Sequence, residues 1–302
     1  MFDFKHDSLI KSASYLSVLV AIIIVGIKTF GWLETGSQSV LASLIDSMLD
    51  ISSSLINLVA IRVSLQPPDH NHRFGHEKFQ DLAIFSQSIF FFASSLFTLF
   101  SASIALFNAD KIEDINLGMN VMFVCVALTI GLVSYQSYVI KMTNSKIIAV
   151  DKLHYFTDLL ASIAVIVSVY LSEKLWFIDP LFGIGISLYI MITSVKLFRQ
   201  AIKNLADEEF PEESRKQILA IIEKHTEVKG VHDLKTRYAG SKPFIQCHLE
   251  MDGNMSLLEA HKISEEIIEE LLSVFKGGEI TIHQDPEGIE EEVNYREKIR
   301  VQ

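Results

Sequence analysis

The 302 residues include only two cysteines and six prolines, and each scarcity excludes something. Cys125 stands in an apolar run and Cys247 in the polar last third, too few and too differently placed for a disulfide framework or a thiolate zinc site. With so few prolines, long helices run uninterrupted. Charge is scarce as well: Leu82 to Ala109 and Ile115 to Ile140 carry none, and each is long enough to cross about 30 Å of hydrocarbon. The first apolar run follows Asp3 and Asp7 and lacks a small-residue cleavage site, so it does not read as a signal peptide. The net charge of −11 falls mostly on the last hundred residues. That acidity argues against nucleic acid and suits metal cations or a soluble cytosolic face.

What is present is a membrane α-helical protein with a soluble domain attached. Six spans are expected, near Ser8 to Trp32, Ser39 to Leu65, Leu82 to Phe107, Ile115 to Val139, Ile147 to Leu171 and Ile178 to Arg199. Lys5, Lys11, Arg62, Arg73, Lys78, Lys141, Lys146, Lys152, Lys196, Arg199 and Lys203 collect on one side of this arrangement, against Lys111 and Lys174 on the other. The positive-inside rule therefore places both termini in the cytoplasm. Lys28, near the outer end of the first span, is expected to snorkel to the interface. Gly183, Gly185 and Ser187 in the sixth span are small enough for close helix packing.

The domain boundaries expected are 1–206 for the membrane part, 207–288 for a cytoplasmic domain and 289–302 for a disordered acidic tail. Pro211, Glu212 and Glu213 open a helix, and Ile218, Ile221 and Ile222 form its apolar stripe. Strands follow at Val231 to Tyr238 and Phe244 to Met251, then a helix from Ser256 to Phe275 and a strand from Glu279 to Gln284. The order α-β-β-α-β is that of a small α+β sandwich.

The chemistry lies in three constellations. Asp46 and Asp50 interrupt the apolar stretch Leu41 to Leu58, where a charge costs about 2.5 to 3.5 kcal/mol or more and marks an ion pathway. Their spacing puts both on one helix face, and His154 with Asp158 repeats it in the fifth span. No Lys or Arg lies at that level in either span. Three carboxylates and an imidazole suit a tetrahedral divalent ion, zinc first. The second is the loop after the second span, where Asp69, His72 and His76, with His70 less favoured, can ligate zinc; a merely solvated loop is the alternative. The third comprises His232, His248, His261, His283 and Asp285. His248 and His283 share the wet face of the sheet, where exposed histidines are also common.

Together, Ser43 to Asp50, Asp69 to Lys78, His154 to Asp158, Gly230 to Leu234, Phe244 to Glu250 and Ile282 to Pro286 resemble the cation diffusion facilitator family over residues 5 to 287. The resemblance implies a homodimer in a bacterial inner membrane that exports divalent metal from the cytoplasm by alternating access, in exchange for protons. It implies Asp46, Asp50, His154 and Asp158 as the transport site and Asp69, His72 and His76 as a loop site. It also implies a pair of zinc sites from His232, His248, His261, His283 and Asp285 in a cytoplasmic domain that resembles a copper chaperone. Lys78 and Asp207 match a charge interlock between dimer halves. His in the quartet points to Zn2+, with Cd2+ and Fe2+ left open. Glu77 stands where relatives often have Gly, which stiffens or recharges the loop without removing a ligand.

Other readings are a passive facilitator, a membrane metal sensor and an intramembrane metallohydrolase. A sensor needs an output module that the tail lacks. A hydrolase needs a general base beside an open coordination position, and there is no HExxH pattern. The chain reads as a transporter and not as an enzyme.

Overall fold

The structure, a computed structural model, describes residues 2–35, 38–106, 116–171, 177–288 and 298–300. The chain divides into two compact units, Met1–Ile202 and Lys203–Gln302. The first contains α1 (Phe2–Thr35), α2 (Gln38–Ser64), α3 (Lys78–Ala105), α4 (Asn116–Thr143), α5 (Lys146–Leu171) and most of α6 (Ile178–Leu205). Six long helices stand where six spans were expected. Among the described residues, His6–Gly31, Lys78–Ile104, Met122–Thr143 and Pro180–Leu205 are long and apolar enough to cross a membrane. The helices outside that set, α2 and α5, are the two that carry the paired ionisable residues.

Helices α1, α2, α4 and α5 pack on one another, with Ala13, Ile61, Val139, Ile147 and Ile148 buried between them. The sixth helix joins through Ile190, Leu197 and Ala201, which pack with Ile84 and Phe91 of α3 and Val150 of α5. A Cβ at Gly183 in α6 would stand 3.0 Å from the Cβ of Ala102 in α3, so glycine there permits the close approach. Most of the phenylalanines on α3 point outward, but Phe91 is buried.

The second unit holds α7 (Glu212–Ile222), β1 (Val228–Ala239), β2 (Lys242–Met251), α8 (Leu257–Val274), β3 (Glu279–Pro286) and β4 (Lys298–Arg300). The strands lie in the order β3-β2-β1-β4. Alternation along β2 buries Ile245, Cys247, Leu249 and Met251 against Ile218 and Ile222 of α7 and Ile267 and Leu271 of α8. Full burial of each such side chain contributes about 1.5–3 kcal/mol. The same burial pushes the Cys247 thiol up to about 12, leaving it inert. Both cysteines are free, as their placement in sequence implied. Helix α8 starts at a capping box: Ser256 Oγ accepts from Glu259 N at 3.3 Å, and Glu259 Oε2 accepts from Ser256 N at 3.0 Å.

One expectation is corrected here. Lys298–Arg300, within the stretch read as a disordered tail, pairs antiparallel with Gly230–His232 of β1; residues 289–297 lie outside the described part.

Candidate metal centre

The i, i+4 spacing places His154 and Asp158 one turn apart on α5, and α2 packs beside them. His154 Nε2 lies 3.0 Å from Asp50 Oδ1 and 3.5 Å from Asp158 Oδ2. One ligand atom from each of the three falls within 4.8 Å of the others. That nitrogen is buried with no aligned hydrogen bond, while Phe91 of α3 stacks on the imidazole with ring centroids 5.4 Å apart. A cavity of about 90 Å³ opens beside the cluster, lined in part by Asp50, Ser53, Ser94, His154 and Asp158. Asp46 lies one turn before Asp50 in α2, and its side chain is outside the described part.

The loop residues also converge. Asp69 Oδ1 accepts from the backbone N–H of His72 at 2.6 Å and of Asn71 at 2.8 Å, a local turn that fixes the carboxylate. Its two oxygens face His72 Nδ1 and His76 Nε2, each at 3.3 Å. The His72 backbone bond holds the Asp69 carboxyl below its ordinary range despite some desolvation. Gly75 bends the loop at φ +94°, and the Glu77 carboxylate closes over the space a Cβ would take.

In the sheet, the register sets three histidines in a row: His232 of β1 opposite His248 of β2, and His248 beside His283 of parallel β3. Asp285 sits at their centre. Its Oδ2 is 3.2 Å from His232 Nε2 and 2.8 Å from His248 Nδ1, and its Oδ1 is 3.1 Å from His283 Nε2. Burial works to raise the Asp285 carboxyl, but the His248 hydrogen bond and the surrounding imidazoles outweigh it and hold the carboxyl below its ordinary range. His261 is not brought in; it lies exposed on α8, 4.0 Å from Glu265. The donor sets of the loop and the sheet, one carboxylate with two or three imidazoles at close range, fit zinc. Bound there, zinc would be held by Asp69, His72 and His76, and by His232, His248 and Asp285, and would cross-link the loop and the strands.

Asp207, with φ +56°, pairs with Arg237 at 3.2 Å. Lys78 heads α3 in the other unit.

Two residues add to the reading of the sequence. Lys28, expected to snorkel, donates from Nζ to Ser47 Oγ on α2 at 2.6 Å. Asp151, which the sequence did not single out, is fully buried near the start of α5. It accepts from Ser17 at 2.6 Å, Gln136 at 2.7 Å and Asn57 at 2.8 Å. Its spacing of seven from Asp158, on one helix face, was the available signal.

A helical membrane unit with a carboxylate–imidazole cluster, followed by a small sheet domain bearing histidines, defines a membrane protein built to bind divalent cations. Residues 14–206 match the cation efflux transmembrane domain and residues 210–287 the cation efflux protein cytoplasmic domain. The chain belongs to the cation efflux, or cation diffusion facilitator, family and is a cation efflux transporter. It is 62% identical over 295 residues to Protein p34 of Rickettsia rickettsii, covering 98% of both chains. It is 40% identical over 287 residues to the cation-efflux pump FieF of Shewanella oneidensis, covering 95% of this chain and 97% of the pump. Among solved structures, the metal-bound C-terminal domain of the CzcD transporter from Thermotoga maritima is 30% identical; the match covers 27% of this chain and all of that domain, with a TM-score of 0.26.

Proposed function

We propose that the protein is a secondary active transporter that exports zinc, with cadmium and ferrous iron as further candidates, in exchange for protons. Asp46, Asp50, His154 and Asp158 are its transport site. The convergence of Asp50, His154 and Asp158 from two helices carries this reading. The names of its relatives support export, and imidazole in the site favours a borderline ion over manganese. Ligands must lose protons to bind metal, so loading from the cytoplasm expels protons, and protons arriving from outside expel the ion.

In this reading the protein works as a homodimer by alternating access, with six spans and both termini in the cytoplasm. Residues 1–206 form the membrane part and 207–288 the dimerising cytoplasmic part. Asp69, His72 and His76 hold zinc in the loop; His232, His248, His283 and Asp285 hold it in the sheet, with His261 added on dimerisation. Lys78 and Asp207 form the charge interlock.

The test is zinc uptake by proteoliposomes carrying Asp50→Ala. Losing one ligand of four is expected to cut transport more than about a hundredfold, beyond the effect of a supporting residue, with dimer and fold intact. Normal transport by that variant would refute the assignment.

A further inference from the structure

We propose that Lys28 is the fixed counter-charge of the metal site and sets how tightly that site holds a divalent cation, an inference that rests on the site assignment above. The side chain spans from α1 to α2, where Nζ meets Ser47 Oγ at 2.6 Å. Helix α1 continues two turns beyond it, to Thr35. Lys28, Asp50 and Asp158 line one cavity of about 50 Å³, on the side of the site away from Ser53 and Ser94. Among the described residues, the other walls, including Ala21, Ile24, Cys125 and Thr129, bring no second ammonium or guanidinium.

An ammonium held inside a membrane unit is costly unless it answers negative charge. The balance is taken over the proposed ligands and Lys28, leaving out Asp151, whose carboxylate is held by Ser17, Gln136 and Asn57. The three carboxylates of the quartet and one ammonium sum to −2, the charge that one divalent ion cancels. Without Lys28 the loaded site keeps a surplus negative charge, so it binds metal more tightly and releases it more slowly. Lys28 lies along α1 and α2 toward the end where the connection at residues 36 and 37 falls, which is the outer side in the orientation proposed. Its repulsion therefore acts on an ion leaving in that direction.

The test is zinc binding to the full chain in lipid nanodiscs at one pH, with the transport-site share defined as the zinc lost in Asp50→Ala. Lys28→Met is expected to tighten that share about tenfold or more, the scale of one unit charge across a small cavity of intermediate dielectric. Lys28→Gln, which keeps a donor for Ser47 but loses the charge, is expected to match it. Lys28→Arg, which keeps the charge, is expected to retain the wild-type affinity. Unchanged affinity in Lys28→Met and Lys28→Gln, or an equal shift in Lys28→Arg, would overturn the inference. If Asp50→Ala loses no zinc, the site assignment itself fails and the inference with it. Binding is read instead of flux, so a protein that holds zinc here without exporting it still gives an answer.

Discussion

Nε2 of His154 on α5 and Oδ1 of Asp50 on α2 stand 3.0 Å apart with no hydrogen bond aligned between them. An imidazole nitrogen and a carboxylate oxygen brought together in this way are joined by a proton or shared by a cation. That alternative is what the proposed exchange requires, and it is built from two helices that the sequence marks with the same spacing.

In the reading proposed above, the imidazole of His154 tunes selectivity. His154→Asp replaces a borderline nitrogen with a hard oxygen, so the variant is expected to gain manganese transport and lose preference for zinc. Competition between the two ions in a flux assay measures this; an unchanged preference would remove His154 from the selectivity account.

Asp151 holds α1, α2, α4 and α5 together through one carboxylate. Asp151→Ala leaves Asn57 Nδ2 without its acceptor and takes one of two acceptors from Ser17 and from Gln136, which keep the Ala13 carbonyl and Ser17 Oγ; a donor left dry costs about 1–3 kcal/mol. Thermal unfolding of the purified protein is expected to begin several degrees lower. An unshifted transition would mean that the network contributes little.

The capping box gives the cytoplasmic unit a pH dependence of known sign. The Ser256 side chain and backbone bonds to Glu259 lower its folded value below the ordinary 4.5. A depressed carboxylate contributes stability above its unfolded value and loses it as pH falls through the folded one. The stability difference between wild type and Glu259→Ala should therefore be full above pH 4.5 and shrink below it. A difference that stays constant with pH would exclude the ionised cap.

The readable parts of this chain were those where chemistry and environment disagree. Asp50, His154 and Asp158 stood out because paired ionisable groups at matched spacing are unusual in apolar helices, and the sheet was visible in the alternation of Ile245 to Met251. Asp151 escaped notice because it lies next to Lys152 at a helix start, where charge is ordinary; only packing shows that it points inward to Ser17, Asn57 and Gln136. The contact of Lys28 with Ser47 was not legible either, because a lysine stem can reach several neighbours and only packing shows which one it meets. The strand Lys298–Arg300 was hidden behind an acidic run, since its partner edge on β1 is set by tertiary pairing. Histidines 232, 248 and 283 are far apart in sequence, and it is the register, antiparallel on one side of β2 and parallel on the other, that makes them a row.

The central claim is exchange of metal for protons at the α2–α5 site, and zinc flux into proteoliposomes with and without an imposed pH gradient tests it most directly. The account predicts zinc accumulation against its own gradient when the proton gradient is present, and none when it is collapsed. Zinc movement that is equally fast in both conditions and stops at equal concentrations would contradict it and leave a passive facilitator.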